Sequence, residues 1–148
     1  MPPNIASYGV TVDHNNRVWI SSTIGLGAAR FDPATEKWAV VPEPLLSTGG
    51  IAQAQDGPVW IATGNPAGAV AVDATGLGIL QKLQVPGGTE VKGVGVDHYG
   101  YLWLINEAAY RFDPKDWSYE VYDGLSGPYT YSDMTGFALQ NTSCEPPS

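Results

Sequence analysis

Apolar and polar positions alternate in short stretches along the chain, and the stretches recur. Residues 9–20, "GVTVDHNNRVWI", hold two alternating stretches separated by a polar turn. Alternation over four to eight residues is typical of half-buried β-strands, and Asn15 and Asn16 favour a two-residue primed turn because Asn tolerates its positive φ. Tyr99, at the equivalent turn position of a later copy, fits such a turn less well. Similar stretches occupy residues 50–61 and 93–104. The pattern therefore predicts the same two-stranded hairpin three times.

A glycine and a tryptophan mark each copy of this hairpin. The tryptophan follows ten positions after the glycine in all three copies, and a fourth copy begins at "GFAL", residues 136–139, without reaching a tryptophan. Successive glycines are 41, 43 and 43 residues apart. A period of about 40 to 50 residues is typical of stacked four-stranded blades. The repeat positions are Gly9, Trp19, Gly50, Trp60, Gly93, Trp103 and Gly136.

Each copy continues into a third and a fourth strand. The third strands end at Asp32, Asp73 and Asp113, and each aspartate is expected to begin a turn by accepting a hydrogen bond from the backbone that follows it. The fourth strands are expected in "KWAVVPEP", "GILQKLQVP" and "DWSYEVYD". Each period therefore contains the four strands of one blade.

The sequence thus predicts an all-β fold made of β-propeller blades. Three complete four-stranded blades are expected at about residues 9–49, 50–92 and 93–135, and the inner strand of a fourth blade within residues 136–148. A β-sandwich also consists of short, regularly spaced strands. It gives no reason for a fixed offset between glycine and tryptophan, so the propeller is favoured.

Three blades and one strand do not close a propeller, since closed propellers typically have about 4 to 8 blades. The end faces of an open wedge would be apolar patches of a few hundred Å², which usually mark interfaces. We therefore expect a partial propeller that closes as a homo-oligomer or belongs to a longer chain, of which this sequence could be an excised or engineered piece.

Charge and composition exclude several classes of binding partner and site. The net charge is −8, and the seven Lys and Arg residues are scattered, which argues against nucleic acid and against an anionic membrane surface. The single cysteine, Cys144, excludes an internal disulfide framework and a cysteine-based zinc site. No signal peptide and no apolar run of about 18 residues is visible. The chain is expected to be soluble, and its compartment is left open.

The stretches "GVTVDHNNRVWISS" and "AARFDPATEKWAVVPEP" resemble the repeat of the streptogramin B lyase-like propellers, relatives of NHL-type propellers. The resemblance covers about residues 5–140. For the lyases of this group it implies a seven-bladed fold and the opening of a cyclic depsipeptide by elimination, with a magnesium ion and His and Glu side chains around the central channel. These repeats also serve sensors and plain binding scaffolds.

The catalytic residue types of that family do not occur at the matching positions. Its glutamates commonly lie three positions after the blade tryptophan, where this chain has Ser22, Thr63 and Asn106. Its histidines come from the segments next to the repeat glycines, where this chain has Tyr8 and Lys92 in blades 1 and 3. We therefore expect no catalytic residue and no cofactor, since Mg²⁺ or Ca²⁺ is implied only by the resemblance.

A non-enzymatic binding or interaction scaffold is the favoured function. The alternative is a lyase-like or hydrolytic enzyme whose catalytic residues lie in blades outside this chain. A small polar ligand or a protein is the expected partner. The predicted ligand-binding residues, chosen because they offer hydrogen-bonding groups near the inner-strand ends, are Tyr8, Ser22, Thr63, Lys92 and Asn106.

Other polar and aromatic residues receive structural interpretations. His14 and His98 are expected to flank turns rather than bind metal. Trp38 and Trp117 are expected in outer strands, where they are better candidates for an exposed aromatic contact than the repeat tryptophans. Glu90 and Glu107 are the only glutamates near inner-strand ends, and neither is expected to have a second carboxylate on the same face. The turn aspartates Asp32, Asp73 and Asp113 are not expected to bind calcium.

Overall fold

A computed structural model describes residues 5–25, 27–55, 57–87, 90–128, 130 and 133–134. Every regular element in this part of the chain is a β-strand, so it contains no helix that is long and apolar enough to cross a membrane. The strands are β1 Ile5–Val12, β2 Val18–Gly25, β3 Ala28–Asp32, β4 Lys37–Val40, β5 Thr48–Gln53, β6 Val59–Gly64, β7 Ala67–Val72, β8 Ile79–Gln84, β9 Gly93–Val96, β10 Leu102–Ile105, β11 Ala109–Phe112, β12 Tyr119–Tyr122 and β13 Asp133–Met134.

Consecutive strands form three antiparallel meanders, which we call blade 1 (β1–β4), blade 2 (β5–β8) and blade 3 (β9–β12). The predicted all-β class and the three four-stranded antiparallel sheets are confirmed. The strands are rich in Val, Ile and Ala, whose side chains fit a pleated surface that is covered on both sides. The middle blade shows this best, because five of the six residues of β6 are buried.

The hairpin turns differ from expectation. The carbonyl of Asp13 accepts from the backbone N–H of Asn16 at 2.8 Å, and its N–H donates to the Arg17 carbonyl at 2.9 Å, which makes a three-residue loop. Only the last loop residue has a positive φ, 58° at Asn16 and 88° at Gly100. The expected two-residue primed turn is wrong here, and Tyr99 is compatible with its position because that position needs no positive φ.

The turns after the third strands follow the prediction. Asp32 Oδ1 accepts from the N–H of Ala34 at 2.9 Å, and Asp73 and Asp113 repeat this bond two residues ahead, at 2.8 and 2.9 Å. These carboxylates thereby accept hydrogen bonds from turn N–H groups that have no strand partner once the strand has ended. Their repetition is explained by the turn alone.

Two hydrophobic cores lie between the blades. The core between blades 1 and 2 holds Trp19, which is fully buried, and the core between blades 2 and 3 holds Trp60, which is 2% exposed. A buried tryptophan removes about 150 to 250 Å² from water, which contributes about 4 to 6 kcal/mol at 25 cal/mol per Å². The repeated tryptophan is therefore the main side chain that joins one blade to the next.

Trp117 does not lie in an outer strand, so that expectation is wrong. It precedes β12, is half-buried, and meets the edge of the Trp60 ring with 5.2 Å between centroids. Trp38 does lie in the outer strand β4, where it packs against Phe31. The difference arises because the turn before the fourth strand reaches across to the neighbouring blade.

The chain after blade 3 returns to the inner edge of that sheet. Strand β13 pairs with β9 in parallel, with Asp133 opposite Val94 and Met134 opposite Gly95. The inner strands β1, β5 and β9 lie in three separate sheets, so β13 differs from them in adding a fifth strand to the sheet of blade 3. The predicted strand at residues 136–139, with Gly136, lies outside the described residues.

Candidate functional site

At one edge of each sheet, the segment that leads into the first strand lies beside the loop that follows the second strand. In an antiparallel meander, the start of the first strand and the end of the second lie side by side. The backbone register accordingly pairs Ser7 with Ser22, Thr48 with Thr63, and Gly93 with Ile105. We call this edge the cleft end, and the opposite edge, with the hairpin loops, the turn end.

A cavity of about 550 Å³ opens at the cleft end of blade 3, and we call it the cleft. Ile105 and Pro128 give it apolar walls, and Thr130 adds a hydroxyl. Four further polar side chains line it, namely Glu90, Lys92, Asn106 and Glu107. An apolar cavity with a few converging polar groups is the usual form of a small-molecule site.

Lys92 carries the positive charge of the cleft. Its Nζ lies 2.9 Å from Glu90 Oε2 and 5.5 Å from the centre of the Tyr8 ring. The two side chains of the ion pair are 24% and 42% exposed, so water screens it only in part. Tyr8 and Lys92, which precede the repeat glycines of blades 1 and 3, therefore lie in contact with each other.

Glu90 is positioned by a glycine of the neighbouring blade. A β-carbon on Gly64, at the end of β6, would lie 2.6 Å from Glu90 Cβ and 2.7 Å from Glu90 Oε2. Real side chains do not approach this closely, so only glycine leaves room for the glutamate there. Gly64 of blade 2 thus leaves the space in which Glu90 pairs with Lys92.

Asn106 and Glu107 form the opposite wall of the cleft. The Asn106 side-chain oxygen accepts from the N–H of Ala108 at 3.2 Å, which shapes the short loop between β10 and β11. Both side chains face Gly87, where a β-carbon would lie 3.9 Å from Asn106 Nδ2 and 3.8 Å from Glu107 Oε2. The segment that leads into blade 3 therefore passes beside both residues.

Tyr110 fastens the segment that leads into blade 3. Its hydroxyl donates to the carbonyl of Pro86 at 3.3 Å. Burial raises the pKa of Tyr110, and the neighbouring Tyr119 and Glu107 raise it further. The phenol consequently remains a protonated donor, and Tyr110 supports one wall of the cleft without entering it.

The expectation that Glu90 and Glu107 lack a second carboxylate on their face is wrong, because both line the same cavity. One precedes β9 and the other follows β10, and these strands are direct neighbours in the sheet. The sequence did predict that residues 93–104 form a hairpin, and the pairing of Gly93 with Ile105 in that hairpin brings the residues before β9 close to those after β10. Two carboxylates and one ammonium therefore share the cleft.

Ser22 and Thr63 do not line the cleft. Both are buried, with 1% and 6% exposure. Ser22 Oγ accepts from the N–H of Ala6 at 3.0 Å and bonds to the Ile24 carbonyl, and Thr63 Oγ1 donates to the Pro66 carbonyl at 2.9 Å. In blades 1 and 2 this position therefore stabilises the loop, whereas Asn106 of blade 3 reaches the cavity.

The histidines lie at the turn end, away from the cleft. The His14 backbone N–H donates to Gln53 Oε1 at 2.7 Å, and the His14 ring Nδ1 lies 2.7 Å from Gln53 Nε2, which links blades 1 and 2. His98 stacks edge-on against Tyr99. Within the residues that the structure describes, no three His, Cys, Asp or Glu side chains are placed to hold one metal ion.

No protein-family profile matches the sequence, and no curated protein sequence matches it. Solved structures do match its fold. Virginiamycin B lyase from Staphylococcus aureus is similar, with a TM-score of 0.70 and 18% identity over 82% of this chain and 42% of the lyase. Hydrazine synthase from Kuenenia stuttgartiensis has a TM-score of 0.69 and 14% identity over 86% of this chain and 38% of that chain.

An auxiliary nutrient binding protein from Bacteroides ovatus is also similar, with a TM-score of 0.63 and 14% identity over 89% of this chain and 34% of that protein. The chain spans about two fifths of the length of these structures or less. At such identities the likeness concerns the fold alone. The resemblance noted in the repeat is confirmed at that level, and the chain has the fold of a streptogramin B lyase-like propeller.

Proposed function

We propose that this protein is a non-enzymatic propeller-repeat scaffold that binds a small polar ligand in the cleft. The observation that supports this proposal is the convergence of Lys92, Asn106 and Glu107 on one cavity of about 550 Å³. That volume lies within the range of about 300 to 1,000 Å³ that small-molecule sites usually have. The cleft offers an ammonium group, an amide and two carboxylates within one small volume.

The contacts of Lys92 favour binding. Its Nζ lies 2.9 Å from Glu90 Oε2 and 5.5 Å from the centre of the Tyr8 ring, at the cavity wall. A lysine side chain is a flexible stem that carries three hydrogen-bond donors. Lys92 is therefore suited to donating a hydrogen bond to a ligand oxygen in the cleft.

The alternative is an elimination enzyme of the kind that virginiamycin B lyase represents. Its support is the presence of both Glu90 and Glu107 at one cavity, together with the shared fold. Against it, the positions that carry glutamate in that family hold Ser22 and Thr63, whose hydroxyls bond to this chain's own backbone. The two functions predict different outcomes in one assay.

The proposal is tested by screening the full chain for thermal shifts with amino acids, sugars, small carboxylates and virginiamycin B, followed by calorimetric titration of each hit. We expect a hit whose dissociation constant rises about tenfold or more in Lys92→Met, the loss of one charged contact. Lys82→Met is the matched control, because Lys82 forms a similar ion pair, with Glu43, away from the cleft.

Three results would count against this assignment. Failure of every compound to bind, or binding that Lys92→Met leaves unchanged, removes the cleft as the ligand site. Conversion of virginiamycin B to a new chromatographic species, which a scaffold cannot cause, establishes the enzyme instead.

A further inference from the structure

At the contact between blades 1 and 2, side chains on the face of blade 1 bind the turn that follows the third strand of blade 2. The indole N–H of Trp19 donates to Asp13 Oδ2 at 2.8 Å, and Arg30 lies opposite Trp19 on the next strand. Arg30 donates to the carbonyls of Ala74 and, at 3.1 Å, Thr75, in the turn of blade 2. The face of blade 1 therefore binds backbone carbonyls of the neighbouring turn through its arginine.

The residue four positions after the turn aspartate completes this contact. It is Leu77 in blade 2 and Trp117 in blade 3, with φ of 63° and 61°, so both turns have the same left-handed corner. Leu77 packs in the core of Trp19, and Trp117 meets the edge of Trp60. The corner residue thus covers the tryptophan of the preceding blade.

Blade 3 has the same aspartate, tryptophan and arginine on its outward face, the one directed away from blade 2. Trp103 donates to Asp97 Oδ2 at 2.9 Å, and Arg111 lies opposite Trp103, as in blade 1. Trp103 stacks on Tyr122 and remains half-exposed, unlike Trp19 and Trp60. No turn of the described chain covers this face. We call Asp97, Trp103, Arg111, Glu120 and Tyr122 the docking surface.

Arg111 forms an ion pair within the docking surface, where Arg30 of blade 1 instead binds turn carbonyls. Its Nη2 lies 2.8 Å from Glu120 Oε2, and the Arg111 and Glu120 side chains are 31% and 62% exposed. An exposed ion pair of this kind contributes little to stability, so its exchange for other acceptors costs little. Arg111 is consequently able to bind turn carbonyls in the way that Arg30 does.

Blade 1 presents a turn that matches the docking surface. Its corner residue is Glu36, exposed and with φ of 55°, the same conformation as Leu77 and Trp117. Seated like those residues, Glu36 would bring a carboxylate to Arg111, and the carbonyls of Pro33 and Ala34 would take the places of the turn acceptors of blade 2. Arg111 of the docking surface and Glu36 of blade 1 thus carry opposite charges.

The remainder of the outward face of blade 1 is apolar. Val10 and Val12 are 51% and 57% exposed, and the Phe31 and Trp38 pair is half-buried. A four-stranded face covers roughly 300 Å² per side, from strands about 4.8 Å apart and about 17 Å long. Two such contacts between two copies bury on the order of 1,200 Å², the lower end for a stable interface.

We propose that the docking surface of blade 3 binds blade 1 of a second copy, and that two copies close a ring of six blades through two identical contacts. Six lies within the usual blade number. Strand β13 is hydrogen-bonded to β9 at the inner edge of the sheet and also approaches β1 and β5, so the surface of β10, β11 and β12 is the part that the partner contacts. This assembly goes beyond ligand binding and does not depend on it.

The test measures the mass of the full chain, 15.7 kDa as one copy, by light scattering across a concentration series. We expect a dimer, and we expect Glu36→Lys to raise its dissociation constant about tenfold or more by placing a second cation beside Arg111. Lys115→Glu is the control, since it reverses an exposed charge in the equivalent turn of blade 3 and should leave dimerisation unchanged.

A second readout follows the docking surface itself. Quenching of tryptophan fluorescence by acrylamide should decrease as the wild-type dimer forms, because Trp103 becomes covered, and in Glu36→Lys the decrease should need a protein concentration about tenfold higher or more. A single-copy mass at every concentration, a dimer that Glu36→Lys leaves intact, or an assembly larger than two copies would each overturn the proposal.

Discussion

At the scale of single residues, Asp13 shows how a side chain that suggests chemistry can be structural. Its carboxylate accepts from the N–H groups of Asn15 and Arg17, from Arg17 Nε, and from Trp19 Nε1, at 2.8 to 3.0 Å. Burial acts to raise the pKa of Asp13, but the hydrogen bonds together outweigh burial and lower the pKa. The ionised carboxylate therefore joins the hairpin loop to the interblade tryptophan.

This arrangement predicts an acid-sensitive contribution to stability. The folded pKa lies below the ordinary value of 3.8, so the contribution is present above 3.8 and is lost as the pH falls through the folded pKa. Asp13→Asn should lower the free energy of unfolding by about 1 to 3 kcal/mol at pH 7, because an amide cannot accept all four bonds. Urea unfolding measures this difference.

The difference between Asp13→Asn and wild type should shrink as the pH is lowered below 3.8. Asp32→Asn provides the control, since Asp32 accepts a single turn bond at an exposed site. An equal difference at pH 7 and at strongly acidic pH would show that the charge of Asp13 does not stabilise the fold.

The sequence predicted the turn aspartates but not this role of Asp13. The bonds of Asp32, Asp73 and Asp113 are local, and local geometry can be inferred from residue type. Asp13 and Asp97 instead reach an indole across the hairpin, which depends on how two strands are paired. Their placement six residues before a tryptophan was visible, but blade 2 has Ala54 there, so the repeat obscured it.

At the scale of strands and loops, Gly64 controls the geometry of the cleft. Gly64→Ala should displace Glu90 and Ser47, whose atoms would lie 2.6 to 2.8 Å from the new carbon. We expect a loss of about 1 to 3 kcal/mol in unfolding free energy from overpacking. We also expect faster acetylation of Lys92 because it loses its carboxylate partner, as measured by mass spectrometry of labelled peptides.

Gly78→Ala is the matched control for this substitution, because a carbon added at Gly78 meets no atom within 4 Å. Its stability and the labelling rate of Lys92 should resemble those of wild type. If Gly64→Ala leaves the Lys92 labelling rate unchanged, Gly64 does not position Glu90.

Strands were more predictable than loops for a physical reason. Each strand needs only an alternating pattern and a neighbour, and each repeat forms four strands, although β1 begins at Ile5, before Gly9, and β5 begins at Thr48, before Gly50. The loops at the cleft end take their shapes from other blades, as Glu90 does from Gly64 and Pro86 from Tyr110. For that reason, the sequence could not indicate that Ser22 and Thr63 bond to their own loops while Glu90 and Glu107 line the cleft.

At the scale of the whole molecule, the three repeat tryptophans are chemically alike but differ in surroundings. Trp19 and Trp60 lie between blades, whereas Trp103 lies on the outward face of blade 3. A repeat can predict that each tryptophan is an interblade residue. Whether a given one is covered depends on the presence of a following blade, which the repeat itself does not specify.

The three positions should therefore respond differently to the same substitution. In dilute solution, where single copies prevail, Trp60→Ala should cost about 3 to 5 kcal/mol by leaving a cavity between blades 2 and 3, and Trp103→Ala about half of that or less. Denaturant unfolding followed by circular dichroism measures both. At higher protein concentration, Trp103→Ala should also abolish dimerisation, because the corner residue of the partner loses the ring it covers. Equal losses of stability at the two positions would mean that the face of blade 3 is already covered within one copy.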